Sequence, residues 1–103
     1  MTSRTEWENA IDDLGRMEGM ELEQFDHETD ETGSRCYAVF SVGKRDLLTF
    51  FAFDNGSVAL ETNWCSPTSG FYHTGPVFTL DEPVDTATGW AALLSRYHKT
   101  MEL

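Results

Sequence analysis

Two groups of side chains in this chain have the types that chemistry uses. Cys65 and His73 stand eight positions apart around a Ser, Gly, Pro and aromatic-rich stretch. A histidine beside a cysteine can draw off the thiol proton and leave a nucleophile. Spacing alone supplies no oxyanion donor, and Cys65 directly follows an apolar strand pattern. A packed thiol and a loop histidine bonded to a backbone carbonyl account for the same residues. The second group is Asp26-His27-Glu28-Thr29-Asp30-Glu31, whose alternating oxygens could hold Ca²⁺ or Mg²⁺. A calcium loop of the EF-hand type needs glycine at its sixth position, where this chain has Glu31. His27, His73 and His98 have no zinc-type spacing among themselves or with the cysteines. No phosphate-cradling glycine loop and no G-x-S-x-G elbow occurs. The expectation is a chain with no catalytic residue, no metal and no cofactor. A small enzyme or ligand-binding domain using the Cys65–His73 loop is the alternative.

The charge pattern carries more information. The formal charge is −11, from 18 acidic and 7 basic residues. Its weight falls between Glu6 and Glu31, where eleven acids face one base, Arg16. A solvated acidic face accounts for such a run, and a surface adapted to high salt would too, although that should be acidic all over. This excess is lopsided, which disfavours the high-salt surface and leaves a solvated face and a contact with something basic as the two readings. Direct nucleic-acid binding is disfavoured, since the bases are few and scattered.

The elements that must position these residues can be read from periodicity. Trp7, Ala10, Ile11, Leu14 and Met17 recur at helical spacing after a capping-box pattern, predicting a helix over 4–18 with Gly19 just past its end. Residues 20–27 read as a strand in which Leu22 and Phe25 break alternation, so a bulge or an early end is expected. Residues 28–34 read as a polar turn. Three strands follow, over 36–42, 47–53 and 58–64. Asn55-Gly56 suits a two-residue type I′ turn, and Lys44-Arg45 a second two-residue loop. That register gathers Cys36, Ala38, Phe40, Val42, Leu47, Phe51, Phe53, Val58, Leu60 and Trp64 on one core face. The opposite face then carries Tyr37, Val39, Ser41, Leu48, Phe50, Ala52, Ala59, Glu61 and Asn63. It is too apolar for a sheet face left in water, so it is expected to be covered by the second helix or partly buried. Residues 76–80 suggest a short edge strand beginning at a proline. Asp85 caps a last helix with the stripe Trp90, Leu93, Leu94, Tyr97 and Met101.

Together these predict one α+β domain over 1–103. It is a two-layer fold, an antiparallel meander of four to five strands with an N-terminal and a C-terminal helix. The length suffices for one core. The two cysteines, placed on non-adjacent strands, read as free thiols of a reducing, cytoplasmic setting. No apolar run of about 18 residues suggests a membrane span, and no leader pattern stands at the start.

The functional expectation is a non-enzymatic acidic binding protein that occupies the basic surface of a macromolecular partner. Carboxylates in a cluster can stand in for a phosphate backbone. The expected contact residues are Glu21, Glu23, Asp26, Glu28, Asp30 and Glu31, with Phe71, Tyr72 and His73 as an uncharged anchor. In type, though by no residue motif, the chain is similar to toxin-neutralising immunity proteins and to phage anti-defence inhibitors of the anti-CRISPR kind. A third reading is a chaperone-like or structural homodimer joined through Tyr37, Val39, Leu48 and Phe50.

Overall fold

The computed structural model describes residues 4–17, 19–42, 46–65, 70, 72–82 and 85–101. The order is α1 (Arg4–Gly15), β1 (Met20–Asp30), β2 (Gly33–Val42), β3 (Asp46–Phe53), β4 (Val58–Cys65), β5 (Tyr72–Leu80) and α2 (Thr86–Met101). The five strands form one antiparallel sheet in sequence order, β1 and β5 being its edges. This is the α+β architecture that the periodicities predict.

Both helices lie on the same face of the sheet. Trp7, Ala10, Ile11 and Leu14 of α1 and Trp90, Leu93, Leu94 and Tyr97 of α2 join Cys36, Ala38, Phe40, Leu48, Phe50, Ala52, Val58 and Leu60 in a single core. The spacing of the helical stripes makes this possible, since residues three and four apart share one side of a helix. The helices are also tied end to end: the Thr86 backbone N–H, at the start of α2, donates to Glu6 Oε1 of α1 at 2.9 Å. Asp85 caps α2 as expected, its Oδ2 accepting from Thr88 N at 3.0 Å. Helix α1 stops three residues earlier than its stripe suggests. Met17 is turned out, 41% exposed, and Gly19 at φ +83° reverses the chain into β1.

The expected core face is wrong for β3. Leu48, Phe50 and Ala52 are fully buried, while Leu47, Phe51 and Phe53 are half-buried on the other face. The cause is turn length. Gly56 N donates to Phe53 O at 3.0 Å, Phe53 N donates to Ser57 O at 3.0 Å, and Gly56 has φ +94°. This is a three-residue loop, a type I turn closed by a glycine bulge. It pairs Ala52, not Phe53, with Val58. On the other side Val42 pairs with Asp46, so three residues, not two, separate β2 from β3. The Lys44-Arg45 turn itself lies outside the described residues. A slip of one position at each end of β3 exchanges its faces while leaving β2 and β4 correctly oriented. Trp64, expected in the core, is 44% exposed and stacks on His73 instead.

Two further strands run longer than expected. β1 continues through Glu28, Thr29 and Asp30, which the sequence places in a turn, and reverses at Glu31-Thr32. β5 begins at Tyr72, so His73 and Thr74 belong to an edge strand and not to a loop. It carries a bulge at Gly75-Pro76, opposite Thr62, whose hydroxyl donates to Pro76 O at 2.7 Å. An edge with a bulge and a proline resists pairing with other chains.

Candidate functional site

The expected acidic residues come together on one face because of an irregularity in β1. Leu22 pairs with Phe40 and Gln24 with Val39, so Glu23 is an extra residue. Without it, side-chain alternation would separate Glu21 and Glu23 from Asp26, Glu28 and Asp30. With it, all five carboxylates belong to the face away from the helices. Met20 and Phe25 then meet the core, and His27 lies under Trp7 with ring centroids 5.2 Å apart.

Hydrogen bonds fix the placement. Ser41 Oγ donates to Glu23 Oε1 at 2.8 Å. Tyr37 Oη donates to Asp26 Oδ2 at 3.3 Å and accepts from Gln24 Nε2 at 3.1 Å. Arg35 reaches Glu28 at 2.9 Å and Asp30 at 3.0 Å. Side-chain and backbone hydrogen bonds from Thr32, and then Arg35, pull the Asp30 carboxyl down to about 2. Partial desolvation, followed by the charge of Asp26, raises the Tyr37 phenol. Arg35 therefore covers the turn end of the strip. Glu21, Glu23 and Asp26 make no ion pair with it.

Behind the strip lies a sheet face that no described element covers. Four rows run across it in register. They are Glu21–Ser41–Leu47–Asn63–Thr74, Gln24–Val39–Thr49–Glu61–Val77, Asp26–Tyr37–Phe51–Ala59–Thr79 and Glu28–Arg35–Phe53. The centre is apolar, with the Tyr37 and Phe51 rings 6.3 Å apart, and Val77 is 57% exposed. Of the two expectations for this face, shielding by the second helix is not met, since that helix packs on the other side; Tyr37, Val39 and Ala59 are instead half-buried within the open sheet surface.

The remaining expected residues do not join the strip. His73 is on β5, the opposite edge, on the helix side of the sheet, stacked on Trp64 with centroids 4.6 Å apart. Phe71 and the Tyr72 side chain lie outside the described residues. Glu31 is exposed in the β1–β2 turn. Of the residues proposed to join two copies, Leu48 and Phe50 are in the core and present no surface. What the sequence reading missed is Leu47, Phe51 and Phe53, and the signal was hidden because β3 is apolar on both faces.

The other constellations are also placed. The Cα register sets His73 opposite Trp64, and Cys65 opposite Tyr72. Cys36 is fully buried, and burial pushes its thiol up to about 12. Among the described residues, no three His, Cys, Asp or Glu side chains are grouped to hold a metal ion. No described helix is long and apolar enough to cross a membrane.

Compared with known families, with curated proteins and with solved structures, the chain matches none.

Proposed function

We propose that the protein is a non-enzymatic acidic binder that occupies a basic, nucleic-acid-binding type of surface on a protein partner. The observation that supports this most is the β1 bulge, which collects Glu21, Glu23, Asp26, Glu28 and Asp30 on one side of an edge strand. Alternation without the bulge would have spread the same charge over both faces. A row of carboxylates offers a basic partner the charge spacing of a polyanion, and complementary fields raise association rates. The inhibitory setting, a toxin or a nucleic-acid-binding defence complex, follows from what such an occupied surface would lose. A cytoplasmic location accords with a buried thiol kept reduced.

The test uses the immobilised chain and the heparin-binding fraction of a lysate. One basic protein should be retained, displaced by duplex DNA and by salt, and not retained by the triple variant Glu21→Lys, Glu23→Lys, Asp26→Lys. Retention of that protein by the folded triple variant, with unchanged salt dependence, would rule the reading out.

A further inference from the structure

We propose that the uncovered sheet face, with the acidic strip as its border, is the seat for one amphipathic helix of the partner, apolar along its middle and carrying Lys or Arg along one flank. This deepens the reading above and rests on it for the sign of the partner's charge.

The dimensions and the charge of the face argue for that occupant. The apolar side chains of the centre, Tyr37 and Val39 of β2, Leu47, Phe51 and Phe53 of β3 and Ala59 of β4, span two strand spacings or about 10 Å, which is the diameter of a single helix. From the Leu47 row to the Phe53 row it runs about 20 Å, the length of roughly 13 helical residues. The face carries its row of acids along β1, where Glu21, Glu23 and Asp26 border Ser41, Val39 and Tyr37, and one further carboxylate, Glu61, on β4. On the β5 side it ends in Thr74, Val77 and Thr79, which carry no charge. The single cation on the four rows, Arg35, is held by Glu28 and Asp30 at one end. A helix laid along the strands would therefore meet apolar contacts below, a row of anions on the β1 flank and the single carboxylate of Glu61 on the other. Strand addition is a poorer fit, because β1 is bulged and bordered by carboxylates and β5 is bulged at a proline. A second copy is also a poorer fit, since each chain has a formal charge of −11 and the same acidic border on this face.

The probe is a 14-residue helical peptide with Leu at positions i, i+3, i+4, i+7 and i+11 and Lys along one flank. Its controls are a twin with Glu for Lys and a scrambled peptide of the same composition. Amide shifts and anisotropy report binding to the full chain. The Lys helix should bind saturably and move the amides of Val39, Leu47, Thr49, Phe51 and Ala59, while both controls should not. Phe51→Ser, and independently Thr49→Arg in case the first unfolds, should weaken it at least tenfold without loss of the folded spectrum. Binding that moves only β1 amides, binding by the scrambled peptide equal to the helix, or no saturable binding at millimolar peptide would each overturn the proposal. So would a dimer in solution that Thr49→Arg dissociates, which would give the face to a second copy. These outcomes are separate from the fate of the acidic reading. A partner captured by wild type, lost in the Lys triple variant and still held by Thr49→Arg would keep the acidic contact and refute the helix seat.

Discussion

Phe50 and Phe51 are adjacent in sequence and sit on opposite faces of β3. Phe50 is fully buried, with its ring edge-on to Phe40 at 5.8 Å and tilted on Trp90 at 5.6 Å. Phe51 shares the open face with Tyr37. Phe50→Ala should cost about 3–5 kcal/mol in urea unfolding, because it empties the middle of the core between the sheet and the helices. Phe51→Ala should cost about half that or less, since its ring leaves no enclosed cavity. Two other buried groups set an alkaline limit. Burial raises the Cys36 thiol from 9.0 to about 12. Burial, and then the charge of Asp46 that its hydroxyl reaches at 3.2 Å, raises the Tyr97 phenol from 10.0 to about 12. Both groups hold their protons more tightly folded than unfolded. Their stabilising effect is complete below about pH 9 and declines as pH climbs towards 12. Urea midpoints should therefore fall over that window, and the double variant Cys36→Ala, Tyr97→Phe should show a shallower fall from a lower starting point. An equally steep fall in the double variant would assign alkaline unfolding to other groups.

At the scale of elements, the turns and bulges decide what the strands present. The β1–β2 turn has Gly33 at φ +131°, and a Cβ there would stand 2.7 Å from Asp54 Oδ2. That carboxylate accepts from Ser34 N at 2.8 Å, which ties the β1–β2 turn to the β3–β4 turn. Gly33→Ala should destabilise by about 1–3 kcal/mol through backbone strain and this clash. In a double-mutant cycle with Asp54→Ala the two losses should not add, because the clash disappears with the carboxylate. The bulge at Glu23 was legible, since Leu22 and Phe25 cannot share a face in a regular strand. The turn lengths were not. Gly56 suits a two-residue and a three-residue loop equally, as either needs glycine in a left-handed conformation. Leu47-Leu48-Thr49-Phe50-Phe51-Ala52-Phe53 is apolar at odd and even positions alike, so nothing in β3 could correct the slip. Two turns read with the same error agreed with each other. The link from Glu6 to Thr86 was invisible for a different reason: it joins residues 80 positions apart. The irregularity that collects the acidic side chains was thus readable, and on the open face Tyr37, Val39 and Ala59 were placed correctly while Leu47, Phe51 and Phe53 were misassigned to the core. Deleting Glu23 tests this account directly. Without the extra residue Glu21 should turn towards the helices and Leu22 outwards, and urea unfolding should register a loss of stability while partner capture weakens.

The whole molecule is polarised towards one edge. Helix α1 exposes Glu8, Asp12 and Asp13 on the helix side of the sheet, and β1 presents its five carboxylates on the other. The two acidic surfaces therefore adjoin along the β1 edge, since Trp7 of α1 lies against His27 of β1. Such crowding opposes folding and favours a basic partner, so salt should act on the two in opposite directions. Added salt screens repulsion within about 8–10 Å near physiological ionic strength. It should raise the thermal midpoint of the free chain and lower its affinity for the partner. Glu21→Lys, Glu23→Lys and Asp26→Lys together separate these effects. Each reversal adds two to the charge, taking the formal total from −11 to about −5. The exposed positions give up little when changed singly, because exposed pairs are worth about 0–1 kcal/mol. The triple variant should melt no lower than wild type and depend less on salt, while its association with the partner slows by orders of magnitude. Stopped-flow association at two salt concentrations, alongside thermal melts of the free chains, measures both sides of this trade. If the variant melts normally and associates as fast as wild type, the acidic edge is only a solvated surface, and the partner must be sought on the open face alone.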